Sequence, residues 1–238
     1  MCVLTYLPKA NGGFVVTHNR DEAAVREAAL PPKRYNLANN HQVLYPQDPQ
    51  SGGTWIATSS KFTLCLLNGA FENHVRQSSY RQSRGQIIPD FFKFKNPEAF
   101  IQNYCFEGIE PFTLIAIEHS TKPILHEIRW DGKVVYHQNL NSQKPHIWSS
   151  ATLYDQAVRQ ERTTWFEDWQ SQYPDFEANS IFEFHQKGGN GNAHNDMVMN
   201  RHGHLLTHCI MQIDAQKNMI RAKYQDLLQN KAYQYSLI

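Results

Sequence analysis

The sequence has little net charge, few cysteines and no long apolar stretch, and each of these absences excludes a class of protein. The formal net charge is +1, which argues against electrostatic binding to nucleic acid or to an anionic membrane surface. No basic stretch followed by an apolar run marks a leader at the N-terminus, and no segment has the length of a membrane span. We therefore expect a soluble, cytoplasmic protein.

The four cysteines are widely separated and include no C-x-x-C pair and no dense disulfide pattern. Cys65 and Cys209 lie in apolar segments, which is typical of small core residues. Cys2 differs because it directly follows the initiator methionine, whose removal would leave a thiol and a free α-amine on one residue. The sequence thus singles out Cys2 as a candidate nucleophile.

Twelve histidines raise the question of a metal site, and their densest group is His202, His204 and His208 beside Cys209. A zinc site needs three or four converging ligands. No carboxylate or second cysteine accompanies this group at close spacing, and nothing in the spacing singles out a haem ligand. We predict no metal site and no resident cofactor.

Two apolar segments near the N-terminus, residues 3–7 and 13–18, have the pattern of strands. The turn signal Asn11-Gly12-Gly13 lies between them. A hairpin of this length returns the tetrapeptide Asn19-Arg20-Asp21-Glu22 to the neighbourhood of Cys2. The sequence therefore predicts that a thiol, its own amine and charged side chains lie close together.

The rest of the chain predicts an α+β protein, because strands and helices come in blocks rather than in regular βαβ units. Its length favours one domain over residues 1–238. A helical turn is expected near residues 23–29, and a surface loop over residues 33–53 with one short strand inside it. Further strands are predicted at 54–58, 62–67, 112–118, 124–130, 133–136, 146–148, 205–213 and 219–224, and helices at 86–94, 97–104, 153–173 and 180–187.

Five motifs stand out along the chain: Met1-Cys2, Asn19-Arg20-Asp21-Glu22, Gly52-Gly53-Thr54-Trp55-Ile56, Leu67-Asn68 and Ser83-Arg84-Gly85. They occur in the order seen in the NRDE proteins, also called the transport and Golgi organisation protein 2 (TANGO2) family. The chain resembles this family densely over residues 1–95 and more diffusely afterwards. The resemblance implies an N-terminal nucleophile (Ntn) hydrolase fold, a four-layer αββα sandwich of two antiparallel sheets between helices.

The resemblance also implies catalytic roles for four residues. Cys2 would attack an amide or thioester carbonyl, and its α-amine would accept the thiol proton. Arg20 would favour the thiolate by its positive charge, and Asp21 would orient the α-ammonium group. Asn68, at the end of an apolar strand, is the candidate oxyanion donor.

Three further residues, Asn19, Trp55 and Ser150, are expected on the substrate side. Related cysteine hydrolases place a second oxyanion asparagine further along the chain, and the best-matching segment here is residues 146–150. Ser150 therefore stands where that asparagine is expected. Serine has a shorter reach, and the loss of one oxyanion donor typically costs about 10²–10³ in rate.

Each of these residues also has a purely structural explanation. Cys2 could simply begin a strand, Arg20 and Asp21 could form an ion pair, Asn68 could belong to a turn, and Trp55 could be a core residue. For the whole protein, the alternative to an Ntn-type cysteine amidohydrolase or acyl-transfer enzyme is a non-catalytic carrier or chaperone of haem or an acyl-CoA-type ligand. Roles in haem trafficking and lipid homeostasis proposed for the family would fit that alternative. A third reading is a fold whose site has decayed.

Overall fold

The computed structural model describes residues 2–10, 12–217 and 219–237, with Cys2 described through its backbone alone. Met1, Asn11 of the expected turn and the thiol of Cys2 therefore lie outside the described residues. Fourteen strands fall within the described ranges: β1 (Cys2–Pro8), β2 (Phe14–Ala23), β3 (Leu30–Asn36), β4 (Gln42–Gln47), β5 (Ile56–Thr58), β6 (Phe62–Asn68), β7 (Phe112–Glu118), β8 (Ile124–Trp130), β9 (Val135–Leu140), β10 (His146–Ser149), β11 (Asn200–Arg201), β12 (Leu205–Gln216), β13 (Met219–Asp226) and β14 (Lys231–Ser236).

The strands form two seven-stranded sheets whose neighbouring strands all run antiparallel. The first sheet has the order β10-β1-β2-β12-β13-β14, with β11 paired to β12. The second runs from β3 to β9 in chain order. Four α-helices accompany them in the described ranges: α1 (Ile87–Phe91), α2 (Pro97–Asn103), α3 (Gln156–Gln172) and α4 (Ala178–Lys187).

Three apolar cores separate four layers. One lies between the two sheets and includes Leu4 and Ile115. A second packs α1 and α2 onto the second sheet through the buried residues Phe91 and Phe100, and a third packs α3 and α4 onto the first sheet. The predicted αββα sandwich is therefore confirmed. None of the helices in the described residues combines the length and the apolar character needed to cross a bilayer.

Strand β2 is buried on both faces over most of its length. Side chains alternate between the faces of a strand, so Val16 joins the core between the sheets, whereas Val15 joins the core under the helices. The same alternation continues into residues 19–22. Adjacent residues of that tetrapeptide consequently serve different layers.

The segment between β2 and β5 differs from the prediction. No helix forms over residues 23–29, since β2 continues to Ala23 and a turn follows. The loop expected at 33–53 contains the one predicted strand, β4, and in addition the second half of β3, whose Tyr35 stacks on Tyr45 at 4.1 Å between ring centroids. β3 tolerates its Pro31-Pro32 pair because it is an edge strand with a register shift at that point.

Most other predicted elements are present, with shifted ends. β7 and β8 have the predicted bounds, and α2 begins at the predicted residue 97, where the side chain of Asn96 caps it by accepting from the backbone N–H of Ala99. Helix α3 begins later than predicted because Asp155 caps it. The last strand, β14, was not predicted, because its alternating polar residues give little apolar signal.

Candidate functional site

The β1–β2 hairpin places Cys2 directly opposite Arg20 in the first sheet. On the other side of β2, Arg20 is aligned with Cys209 of β12, next to a register shift between Thr207 and Cys209. The expected return of the tetrapeptide to Cys2 is therefore confirmed at the level of the backbone. Arg20 is the residue that this register assigns to Cys2.

The side chain of Arg20 is buried, with 4% of its surface exposed. Its Nη2 donates to the Asp48 carboxylate at 2.5 Å, and Glu22 lies 3.6 Å away. Its guanidinium carbon stands 4.7 Å from the centroid of the Trp55 ring. A buried cation thus lies in a fixed position beside the strand that begins with Cys2.

Asp48 holds this arrangement together, and sequence reasoning missed it. Its carboxylate accepts two hydrogen bonds from Arg26, at 2.9 and 3.0 Å, in addition to the one from Arg20. It also accepts from the backbone N–H groups of Gln50 and Ser51. Burial alone would raise the pKa of Asp48, but these hydrogen bonds and the arginine charges bring it below its ordinary value. The signal in the sequence was an aspartate followed by proline and serine, typical of an Asx-turn.

Asn19 and Asp21 lie on the opposite face of the sheet, under the helices. The Asn19 side chain donates to the carbonyls of His185 and Met197, at 2.9 and 2.6 Å. The Asp21 carboxylate accepts from Thr207 at 2.6 Å and from the Tyr154 hydroxyl. Asn19 thus ties β2 to α4, whereas Asp21 ties β2 to β12 and to the turn before α3. The structure does not bring either residue to the face that Arg20 occupies.

Burial raises the pKa of Asp21, while the charge of Arg162 and the hydrogen bonds from Thr207 and Tyr154 oppose that rise. Its expected role towards the α-ammonium group stays a prediction, because the N-terminal group lies outside the described residues. The ion pair considered between Arg20 and Asp21 is not formed, since Arg20 pairs with Asp48 and Asp21 bonds to neutral hydroxyls.

Asn68 and Ser150 meet where the two sheets approach each other. The Ser150 hydroxyl donates to the backbone carbonyl of Asn68 at 2.9 Å, and the N–H of Ala151 donates to the same carbonyl at 3.1 Å. Gly69 follows with a φ of +82°, so Asn68 both ends β6 and begins a turn. The single proton of the Ser150 hydroxyl is thereby engaged within the protein.

A cavity of about 110 Å³ opens beside Arg20. It brings together three of the predicted residues, Arg20, Trp55 and Asn68, whereas Asn19, Asp21 and Ser150 do not line it. Two loops supply its rim: Ser51, Gly53 and Thr54 on one side, and Ser83, Arg84 and Gly85 on the other. Among the residues that the structure describes, no three His, Cys, Asp or Glu side chains are grouped as metal ligands would be.

Two solved structures of conjugated bile acid hydrolase from Clostridium perfringens, both of variant proteins, have a similar fold. One superposes with a TM-score of 0.57 at 9% identity, covering 98% of this chain and 92% of that one. The other gives 0.52 at 10% identity, covering 100% and 97%. The two neighbours have an Ntn-hydrolase fold, and the likeness shows that this chain has the same α+β sandwich fold.

The family follows from the sequence of the whole chain. The model of the Transport and Golgi organisation 2 family matches residues 1–229. The chain belongs to this family, which confirms the resemblance found in its motifs. A search of curated proteins returned no match.

Proposed function

We propose that the protein is an Ntn-type cysteine amidohydrolase or acyl-transfer enzyme, acting on an amide or thioester bond of a small molecule. The observation that carries the proposal is the register of Cys2 opposite Arg20, a buried cation that lines a cavity. A neighbouring cation lowers the pKa of a thiol and favours the reactive thiolate. The hydrolase-type scaffold agrees with this chemistry.

In the proposed reaction the Cys2 sulfur attacks the carbonyl carbon while the α-amine takes the thiol proton. The carbon–nitrogen or carbon–sulfur bond then breaks, and the leaving amine or thiol receives that proton. Water, or an acceptor amine, next attacks the acyl-enzyme and releases the acyl product and the thiol. Asn68 would donate to the oxyanion. Asp48 is a positioning residue for Arg20, and Asp21 ties β2 to Thr207 of β12.

The size of the cavity favours a small reacting group over an enclosed carrier ligand. Pockets that enclose drug-sized ligands measure roughly 300–1,000 Å³, whereas the cavity beside Arg20 measures about 110 Å³. A haem or acyl-CoA-type ligand held in this cleft would leave most of its surface outside. The cavity therefore supports turnover of a small group more than transport of a large one.

Intact-protein mass spectrometry followed by thiol labelling tests the proposal. We expect the natively produced protein to lack Met1 and iodoacetamide to label Cys2 at least about tenfold faster than Cys105 at pH 7, because only a thiolate reacts. Cys105 is an exposed thiol and serves as the internal reference, and Cys65 and Cys209 are buried. A Cys2→Ser variant should lose the fast label.

Two outcomes would refute the enzyme proposal. Retention of Met1 would leave Cys2 without its free amine, and equal labelling of Cys2 and Cys105 would show that the thiol is not activated.

A further inference from the structure

Two buried hydrogen-bond donors at the candidate site have no partner among the residues that the structure describes. One is Nη1 of Arg20, whose Nη2 is taken by Asp48, and the other is Nε1 of Trp55. Their side chains are 4% and 6% exposed, and both residues line the same cavity. Leaving a buried polar group without a hydrogen-bond partner is unfavourable, so such a pair indicates atoms that a ligand completes.

The chemistry of the two donors restricts what the ligand can offer. A guanidinium and an indole N–H donate and never accept, so the ligand must supply acceptor atoms. The guanidinium lies over the indole ring, and the two donors therefore serve neighbouring positions. A carboxylate has two acceptor oxygens in one plane and forms short, charge-assisted bonds with arginine. It also fits a cavity of about 110 Å³.

The charges around the cavity agree with an anionic group. Its lining contains three arginines, Arg20, Arg26 and Arg84, against two carboxylates, Glu22 and Asp48. Arg20 and Arg26 share the Asp48 carboxylate, and Nη2 of Arg84 lies 3.1 Å from a carboxylate oxygen of Glu110, so the formal excess in the lining is one positive charge.

We propose that this cavity binds a carboxylate of the substrate through Nη1 of Arg20 and Nε1 of Trp55. The substrate class is then a small amide or acyl compound that carries a carboxylate close to the bond that is cleaved. The distance to that bond rests on the proposed function, since it follows from the register of Cys2 opposite Arg20. The binding of a carboxylate does not depend on it.

Nuclear magnetic resonance of the indole N–H groups tests the binding step in the wild-type chain. The protein has five tryptophans, and a Trp55→Phe variant assigns the Trp55 signal by its disappearance. We expect acetate at millimolar concentrations to move that signal downfield, whereas acetamide, which is neutral and of the same shape, moves it far less.

Two tryptophans provide internal controls for the titration. The indole N–H of Trp130 donates to the carbonyl of Ile109, and that of Trp148 donates to Glu127. Because both donors are already paired, their signals should stay in place. A Trp55 signal that acetate leaves unmoved overturns the proposal, as does an equal response to acetamide. If Trp55→Phe does not fold, triple-resonance assignment of the wild type supplies the same signal.

Labelling with a matched pair of reagents separates this proposal from the proposed function. Iodoacetate and iodoacetamide differ only in the group that would occupy the carboxylate site. We expect the ratio of the iodoacetate rate to the iodoacetamide rate to be about tenfold higher at Cys2 than at Cys105. The Trp55→Phe variant should lose this preference for iodoacetate. If both reagents label Cys2 slowly while acetate still shifts the Trp55 signal, the enzyme proposal is refuted and the carboxylate-binding proposal stands. Fast labelling without a preference refutes the carboxylate at that distance from Cys2.

Discussion

At the scale of single residues, the position of the Arg20 guanidinium is set by Asp48, a residue outside the sequence motifs. The single carboxylate of Asp48 accepts hydrogen bonds from Arg20, from Arg26 and from two backbone N–H groups. Removing one partner of a buried ion pair leaves the other charge uncompensated, which costs far more than the loss of a surface pair. The position of the guanidinium beside Cys2 therefore depends on residue 48.

We predict that Asp48→Asn lowers the free energy of unfolding by about 3 kcal/mol at pH 7 and slows iodoacetamide labelling of Cys2. Because the pKa of Asp48 is below its ordinary value, its stabilisation is present above that ordinary value and is lost as pH falls through the folded-state pKa. The difference between variant and wild type should accordingly shrink below about pH 4.

Urea denaturation at pH 7 and at pH 3.5 measures the loss of stability and its dependence on pH. Asp214→Asn is the matched control, since it removes the partner of Lys9 in a partly exposed ion pair outside the cavity lining. It should cost less than about 1 kcal/mol. An equal loss in the two variants would contradict the role given to Asp48.

A second residue-scale prediction concerns the helical face of β2. Tyr154→Phe removes the hydroxyl that donates to Asp21, leaving a buried carboxylate with Thr207 as its remaining hydroxyl donor. The free energy of unfolding should fall by about 1–3 kcal/mol, and the pKa of Asp21 should rise further. Tyr173→Phe, at a half-exposed tyrosine, should change stability little. If labelling of Cys2 falls without any loss of stability, Asp21 acts on the N-terminal group rather than through the fold.

At the scale of elements, the cavity rim depends on a close crossing of two loops. A Cβ added at Gly53 would stand 2.4 Å from the carbonyl carbon of Gly85. The backbone N–H of Thr54 donates to Gly85, and that of Asp48 donates to the Gly53 carbonyl. Space at residue 53 thus controls both the rim and the turn that presents Asp48.

Gly53→Ala should lower the free energy of unfolding by about 2 kcal/mol through overpacking and weaken the response of Trp55 to acetate. Gly191→Ala is the control, because its φ of +89° strains an alanine although nothing lies within 4 Å of the added Cβ. Thermal melting and the indole titration together separate the cases. The control should lose stability alone, and an unchanged acetate response in Gly53→Ala would contradict the coupling.

The secondary-structure elements also show how much of the structure can be predicted from the sequence. β1, β2, β7 and β8 follow from local apolar patterns, and the family motifs bring Arg20, Trp55 and Asn68 to one cavity. Edge strands such as β3 and β14 cannot be predicted from the local pattern, because their faces are polar and their pairing is set by distant partners. The role of Asp48 cannot be predicted for the same reason, since it arises only when the fold brings Arg20 and Arg26 to its carboxylate.

At the scale of the whole molecule, the two sheets share one core, and each carries its own helices on the outer face. We propose that the chain forms one domain. Thermal unfolding followed by circular dichroism and by tryptophan fluorescence should then give one coincident transition. Two separated midpoints would indicate that the layers unfold independently.

Buried histidines make this stability depend on pH. Burial lowers the pKa of His185 to about 3 and that of His119 to about 4, against about 6.5 in an unfolded chain. The unfolded chain binds more protons between these values, so stability is full above pH 6.5 and falls as pH drops towards 4. Each histidine contributes about 1.4 kcal/mol per pH unit in that window, and Asp21 offsets part of the loss because its pKa is raised.

Urea denaturation at pH 7, 6 and 5 should show this decline, and His119→Asn should make it shallower. Stability that stays constant over that range would contradict the assignment of neutral, buried histidines.

The alternation of β2 has a consequence for how this family can change over evolutionary time. Arg20 and Glu22 face the cavity, whereas Asn19 and Asp21 lie on the other face of the strand and bond to α4 and to β12. A lineage that lost the chemistry could vary Glu22 most easily, because a buried ion pair ties Arg20 to Asp48 and hydrogen bonds tie Asn19 and Asp21 to the fold. Asn19, Arg20 and Asp21 retained in a relative would then indicate inherited architecture and would not by themselves show a working site.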